Sequence, residues 1–211
     1  MPFDYKKEYK DLYQPSKKPS LIKVPPMSYV TVRGKGDPNE EDGAYQRALQ
    51  QLYGVSFTIK MSPKSDHDIE GYFTYVVPPL EGFWTFPEGM AQLDPKRKNE
   101  LEWVSCIRLP EFATPDVFEW AKEEAARKKK TDFSDVEMIG MDEGLCVQCM
   151  HVGSYDDEPA TIQAIREFAL AEGYVFDEDG NRHHHEIYLS DPRRVSPERL
   201  KTVIRIPVKE A

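Results

Sequence analysis

HHHEIYLSDP, residues 183–192, is an alternating segment of β-branched and aromatic residues that stops at a Ser-Asp-Pro turn, and it reads as a strand. Side chains alternate across a strand, so His184, Glu186 and Tyr188 share one face while Ile187 and Leu189 point to the other. Ile187 and Leu189 form an ordinary core face. Glu186 is the unusual residue, because an unpaired charge in a central strand is costly. Two readings of it are open. It is either a solvated or structurally ion-paired glutamate, or the floor of an aromatic pocket, serving as anionic anchor or general base.

At 211 residues the chain is long enough for a sizeable core, and its net charge is −9. An acidic balance excludes a general nucleic-acid binder, which needs a basic stripe. No apolar run approaches ~18 residues, so no membrane span is expected. MPFDYKKEYKDLYQP, residues 1–15, has no apolar core of a signal peptide. Three cysteines do not make a disulfide framework. These features predict a soluble cytoplasmic protein, a monomer or weak dimer. Aromatic residues make up 11% of the chain, and they belong either to a plain core or to a ligand pocket.

Outward from residues 183–192, an amphipathic arm is expected over residues 1–20. A strand follows at 28–33, then a helix carrying Ala44, Tyr45, Ala48, Leu49, Leu52 and Tyr53. Alternation predicts strands at 56–61 and 72–77, and 80–90 (LEGFWTFPEGM) reads as an aromatic loop. A strand at 100–109 is followed by Thr114-Pro115, an N-cap with Pro in the first turn, and by a helix ending in RKKK. Strands at 136–141 and 144–153, a helix through Ile162, Ile165, Phe168 and Ala169 that stops at Gly173, a turn at Asp179-Gly180 and a last strand at 202–208 complete the pattern.

The chain also matches itself. CIRLPEF (106–112) lies over VIRIPVK (203–209), with Arg108 on Arg205, and FTYVVPP (73–79) lies over EIYLSDP (186–192), with Tyr75 on Tyr188. The predicted fold is therefore α+β: tandem strand-helix-strand-strand modules, residues 21–112 with an insertion at 82–99 and residues 136–211, linked by a helix within 113–135. Their antiparallel-rich sheet carries helices on one face and a ligand cavity on the other. In that register Phe73 answers Glu186, an asymmetry that an asymmetric pocket would require.

MHVGSYDDEP (150–159), the Glu-x-Tyr-x-x-x-Pro element at 186–192 and TVIRIPV at 202–208 resemble marks of the GyrI-like small-molecule-binding family; GDPN, QQLYG and EGFW resemble its stand-alone subgroup. The resemblance implies two modules holding a ligand between them, with Glu186 facing planar aromatic drugs and aromatic side chains forming the walls. One similar subgroup hydrolyses the cyclopropane of duocarmycin- and yatakemycin-type DNA alkylators. Another relative inhibits gyrase, so a non-catalytic sequestering or protein-interaction module is the alternative.

Candidate catalytic residues are Glu186 as the base, with Tyr155 or Tyr188 donating to a developing oxyanion. Tyr29, Phe73, Tyr75, Phe83, Trp84, Trp103 and His184 are candidate ligand contacts, each with plain core as the competing role. Trp84 stands out because an insertion imposes no core obligation, whereas Trp103 shares parity with Ile107 and Leu109. A Glu186 ringed by aromatics is expected to have its carboxyl raised toward neutrality. No cofactor and no metal are expected. Adjacent histidines on a strand cannot converge on one ion, and Cys146-x-x-Cys149 lies in a strand with no second pair.

Overall fold

Alternating segments build the centre of the molecule. The computed structural model, which describes residues 1–86, 95–178 and 182–211, forms them into β1 (Ser20–Val24), β2 (Met27–Lys35), β3 (Leu80–Thr85), β4 (Glu102–Arg108), β5 (Val136–Met141), β6 (Gly144–Val152), β7 (Tyr174–Phe176), β8 (His184–Tyr188) and β9 (Lys201–Glu210). They make one antiparallel sheet in the order β1-β6-β9-β8-β3-β4-β2-β5, with β7 also on β9. Outward from the central β8–β3 pair the order is matched: β9 then β6 on one side, β4 then β2 on the other. The α+β class with an antiparallel sheet is thus the one expected. Among the described residues no helix is long and apolar enough to cross a membrane.

Helix α3 (Ala44–Lys60) buries Tyr45, Ala48, Leu52, Val55 and Ile59, a spacing of three and four residues. That periodicity runs through 56–60, where alternation predicts a strand; the helical stripe of buried positions overrides the β propensity of Phe57, Thr58 and Ile59. Thr114 caps α4 (Pro115–Lys129) as expected, its side chain accepting from the Val117 amide at 3.3 Å. Helix α5 (Glu158–Ala171) follows β6 through a short turn at Tyr155–Asp157.

Residues 72–77 are not a sheet strand. They run extended beside the N-terminal arm, with the Phe3 amide donating to the Thr74 carbonyl and the Val76 amide to the Phe3 carbonyl, both at 2.8 Å. Their rings meet Phe3 and Phe112 instead of a second strand. The strand across from β8 is β3, inside the stretch that reads as an insertion; Gly82 and Glu81 disguise it. The rest of that stretch includes residues 87–94, which lie outside the described residues, as does the turn expected at Asp179-Gly180.

Cross-strand partners define the two faces. Trp84 pairs with Trp103 and His184, Gly82 with Glu186, Glu186 with Ile204, and Ile204 with Cys149. This face carries α3, through Tyr45 on Trp84 and Trp103, and α5, through Ile165 and Ala169 on Cys149, Ile204 and Ile206. Glu186 thus lies on the helix-bearing face, not the helix-free one. The helix-free face is closed by the arm, including α1 (Tyr5–Glu8) and α2 (Lys10–Tyr13): Tyr5, Leu12 and Tyr13 are buried there, and Arg205 donates to the Leu12 carbonyl at 2.9 Å.

Candidate functional site

Alternation in β8 projects His184, Glu186 and Tyr188 toward the helices, and both carboxylate oxygens of Glu186 are engaged. His184 Nε2 lies 3.0 Å from Oε1, and the Tyr188 hydroxyl donates to Oε2 at 2.8 Å. Trp84 Nε1 in turn donates to Tyr188 Oη at 2.9 Å, so an indole, a phenol and a carboxylate form one chain across β3 and β8. Tyr45 approaches Trp84 at 5.6 Å and Trp103 edge-on at 5.1 Å between ring centres; Tyr155 meets Tyr188 edge-on at 5.8 Å. Glu186 is only 7% exposed and Tyr155 39%, so the aromatic shell runs from the buried carboxylate to the surface.

Glycine makes the Trp84–Tyr188 contact possible. A Cβ at Gly82 would fall 2.7 Å from Trp84 Nε1 and 3.3 Å from Tyr188 Oη. Gly82→Ala is therefore expected to push the indole off the phenol and to destabilise the fold by about 1–3 kcal/mol, read as a lower denaturation midpoint. An unchanged midpoint together with unchanged ligand affinity would mean that the indole relocates freely.

A further residue of the group comes from α5. The MHVGSYDDEP turn is tied down by His151, whose Nδ1 lies 2.8 Å from Thr161 Oγ1 and whose Nε2 lies 2.9 Å from the Ser154 carbonyl. Ser154 Oγ donates to Asp157 at 2.7 Å. This sets Glu158 as the first residue of α5, with its side chain buried against Glu186. Glu158, His184 and Glu186 each bring one ligand atom within 4.8 Å of the others, a set able to hold a cation. It draws on only one of the three adjacent histidines, so strand alternation does not prevent it.

The electrostatics separate the two carboxyl groups. Burial raises the Glu186 carboxyl, but the His184 contact and the hydrogen bond from Tyr188 outweigh it and hold the group below the ordinary glutamate range. This reverses the direction expected from an aromatic surround alone. Glu158 is the raised one, pushed well above its usual value by burial and then by the charge of Glu186. Burial and the same charge keep the Tyr188 hydroxyl protonated, and burial with Glu158 pushes Tyr155 up to about 12. Trp103 Nε1, Thr202 Oγ1 and Glu158 Oε1 are buried without a hydrogen-bond partner among the described residues, and such atoms in a native fold call for an explanation.

Of the residues singled out from sequence, Glu186, His184, Tyr188, Tyr155, Trp84 and Trp103 come together. Trp84 does so from a sheet strand and not from an insertion. Phe83 and Tyr29 turn to the opposite face: Phe83 stacks on His185 at 4.0 Å, and the Tyr29 hydroxyl points to Met27 Sδ at 3.9 Å. Phe73 and Tyr75 pack in the arm cluster, with Tyr75 Oη 3.5 Å from the Ser56 carbonyl. Glu158 and Tyr45 were missed. Both sit in the first turn of a helix, where an acid reads as a dipole partner and an aromatic as core.

A solved structure described as an uncharacterized conserved protein from Listeria innocua is 46% identical, covering 98% of this chain and 100% of its own, with a TM-score of 0.91. Two structures from the same organism described as hydrolases are 44% and 45% identical; they cover 98% and 99% of this chain and 100% of their own, with TM-scores of 0.88 and 0.90. The C-terminal domain of EcmrR, 11% identical over 92% of this chain and 98% of its own with a TM-score of 0.57, shares the fold alone. No protein with a curated description matches the chain. The pattern of the GyrI-like small molecule binding domain matches residues 17–209, and the chain belongs to that family.

Proposed function

We propose that the protein captures planar hydrophobic or cationic xenobiotics over Glu186 and hydrolyses the cyclopropane of duocarmycin- and yatakemycin-type alkylators, a cytoplasmic detoxification. The observation that carries this reading is a buried, ionised carboxylate bracketed by His184 and Tyr188 beneath the rings of Trp84, Tyr45 and Tyr155. The description of two close structural relatives as hydrolases supports it.

In the reaction, Glu186 takes a proton from water as the water oxygen bonds to the cyclopropane methylene. The broken C–C bond's electrons pass through the conjugated ring to its carbonyl oxygen, which becomes a phenolate and then takes up the proton, so the net change is addition of one water. Tyr188 has its single hydroxyl proton committed to Glu186, which leaves Tyr155 as the donor to the developing oxyanion. Aromatic rings stack the planar ligand, and a carboxylate below them favours a cationic one.

Mass spectrometry of a cyclopropane-bearing alkylator incubated with the protein tests the reading. A water adduct formed in many-fold excess over protein is expected. Stoichiometric binding without adduct would leave the second reading, a drug-sequestering protein, which uses the same rings and charge without turnover.

A further inference from the structure

We propose that the Thr202 hydroxyl is a second catalytic hydrogen-bond donor of this site: together with Tyr155 it holds the ligand oxygen that becomes anionic, and it selects planar ligands that carry an oxygen there. This rests on the reading of Glu186 as the base and adds the group at the far end of the reacting ring.

Strand register puts Thr202 on the face that carries Glu186. In the β8–β9 pair Glu186 is opposite Ile204 and Tyr188 is opposite Thr202; in the β6–β9 pair Thr202 is opposite His151. Side chains directly opposite in an antiparallel pair share a face, so Thr202 stands between Tyr188 and His151. It is one strand across and two residues along from Glu186, roughly 8 Å by strand geometry. Tyr155 meets the same Tyr188 edge-on at 5.8 Å. In the proposed reaction water attacks the methylene while charge collects on the carbonyl oxygen, at opposite ends of one conjugated ring. Glu186 in one row and Thr202 with Tyr155 at the next suit those two ends.

The hydroxyl is free to take that role. Thr202 is 1% exposed, and its Oγ1 has no hydrogen-bond partner among the described residues. A buried hydroxyl left unpaired costs stability, a cost that valine, with the same shape, would not carry. The neighbours that could satisfy it are committed elsewhere. Tyr188 Oη donates to Glu186 at 2.8 Å and accepts from Trp84 at 2.9 Å. The His151 nitrogens lie 2.8 Å from Thr161 Oγ1 and 2.9 Å from the Ser154 carbonyl. Glu158 Oε1 is itself without a partner, so the two are not bonded to each other. A buried donor with an uncommitted proton, held on a strand beside the rings, is preorganised for a developing oxyanion. Trp103 Nε1 is also unpartnered, but it lies on β4, two strands from β8 and packed by Tyr45, away from the Tyr155 end.

Thr202→Val removes the hydroxyl and keeps the shape. Its urea midpoint is expected to be no lower than that of wild type, because no hydrogen bond of the fold is lost. A lower midpoint would overturn the proposal, since the hydroxyl would then serve the structure. With a duocarmycin-type alkylator as substrate, kcat is expected to fall about 10²-fold with KM nearly unchanged, the pattern of a donor used in the transition state. Thr202→Ser, which restores the hydroxyl, should return most of that loss; a serine variant as slow as the valine one would mean that shape matters and the donor does not. Calorimetric binding gives a reading without turnover. The probes are the phenol formed by adding water to that alkylator and the same compound with hydrogen in place of the phenolic hydroxyl. Wild type is expected to prefer the phenol by about tenfold, and Thr202→Val to bind the two alike. An equal preference in both proteins would overturn the proposal. If wild type forms no water adduct yet shows the preference and Thr202→Val loses it, the hydrolase reading fails alone. If wild type turns over and Thr202→Val matches it in kcat and in preference, the Thr202 assignment fails alone.

Discussion

Glu186→Gln is expected to fold and to lose turnover by a factor of about 10²–10⁴, the range that a positioned general base contributes. Glutamine fits the same volume and its carbonyl can accept from Tyr188, so the 2.8 Å bond survives while the negative charge does not. If the protein only sequesters ligands, the same change instead weakens cationic ligands and spares neutral planar ones. The two outcomes are read by adduct formation and by ligand titration. A variant unchanged in both would remove Glu186 from the site. The pH dependence follows from the direction of its shift. A carboxyl held below the ordinary range stays ionised above that range, and activity falls only as pH drops through the lowered value. An activity limb near neutrality therefore belongs to another group.

Much of this site was legible because alternation is a strong signal. His184, Glu186 and Tyr188 share a face by period-2 geometry alone, and the cross-strand register places them together. Trp84 is different: it joins them through a strand whose sequence, LEGFWT, carries a glycine at the position where the indole must pass and a buried glutamate one residue earlier. Both residues imitate a loop. Because residues 80–90 read as a loop, alternation is not applied there, and Phe83 appears equivalent to Trp84; Tyr29 joins them because alternation alone cannot say which face of a sheet receives the helices. Tertiary periodicity, not local propensity, decided residues 56–60. Glu158 was hidden by an ordinary rule: acids are common in the first turn of helices.

Glu143→Ala is expected to cost about 3–5 kcal/mol of stability, since it breaks a buried charge cluster on the arm side of the sheet. Arg205, 1% exposed, gives Nη1 to Glu143 Oε1 at 2.9 Å, Nη2 to the Leu12 carbonyl at 2.9 Å and Nε to Gln148 Oε1 at 3.2 Å. His185 lies between two acids, with Nδ1 2.9 Å from Glu143 Oε2 and Nε2 2.9 Å from Glu81 Oε2. The second contact is an ion pair off the line of a good hydrogen bond, since Nε2 has no well-directed acceptor among the described residues. Burial raises the Glu143 carboxyl, but His185 and Arg205 together hold it down at about 2; burial lowers His185, and the charges of Glu143 and Glu81 outweigh that and raise it. The signs differ. The Glu143 contribution is present above its unfolded value near 4.5 and lost as pH falls toward 2, whereas that of His185 is present below 6.5 and lost as pH rises through its raised value. Wild-type stability should therefore peak between those limits, and Glu143→Ala should move the alkaline decline to lower pH, as measured by urea unfolding from pH 3 to 9. Removing Glu143 leaves Arg205 as a charge without its anion, whereas replacing both together, Glu143→Leu with Arg205→Met, removes the desolvation cost with the attraction and should recover much of the loss. Equal destabilisation by the single and double variants would mean that the cluster acts through shape alone. The arm reports the same event independently: Arg205 holds the Leu12 carbonyl, and Tyr13 Oη reaches Glu81 Oε1 at 3.4 Å, so loosening the cluster should expose residues 1–14 to proteolysis before the sheet unfolds.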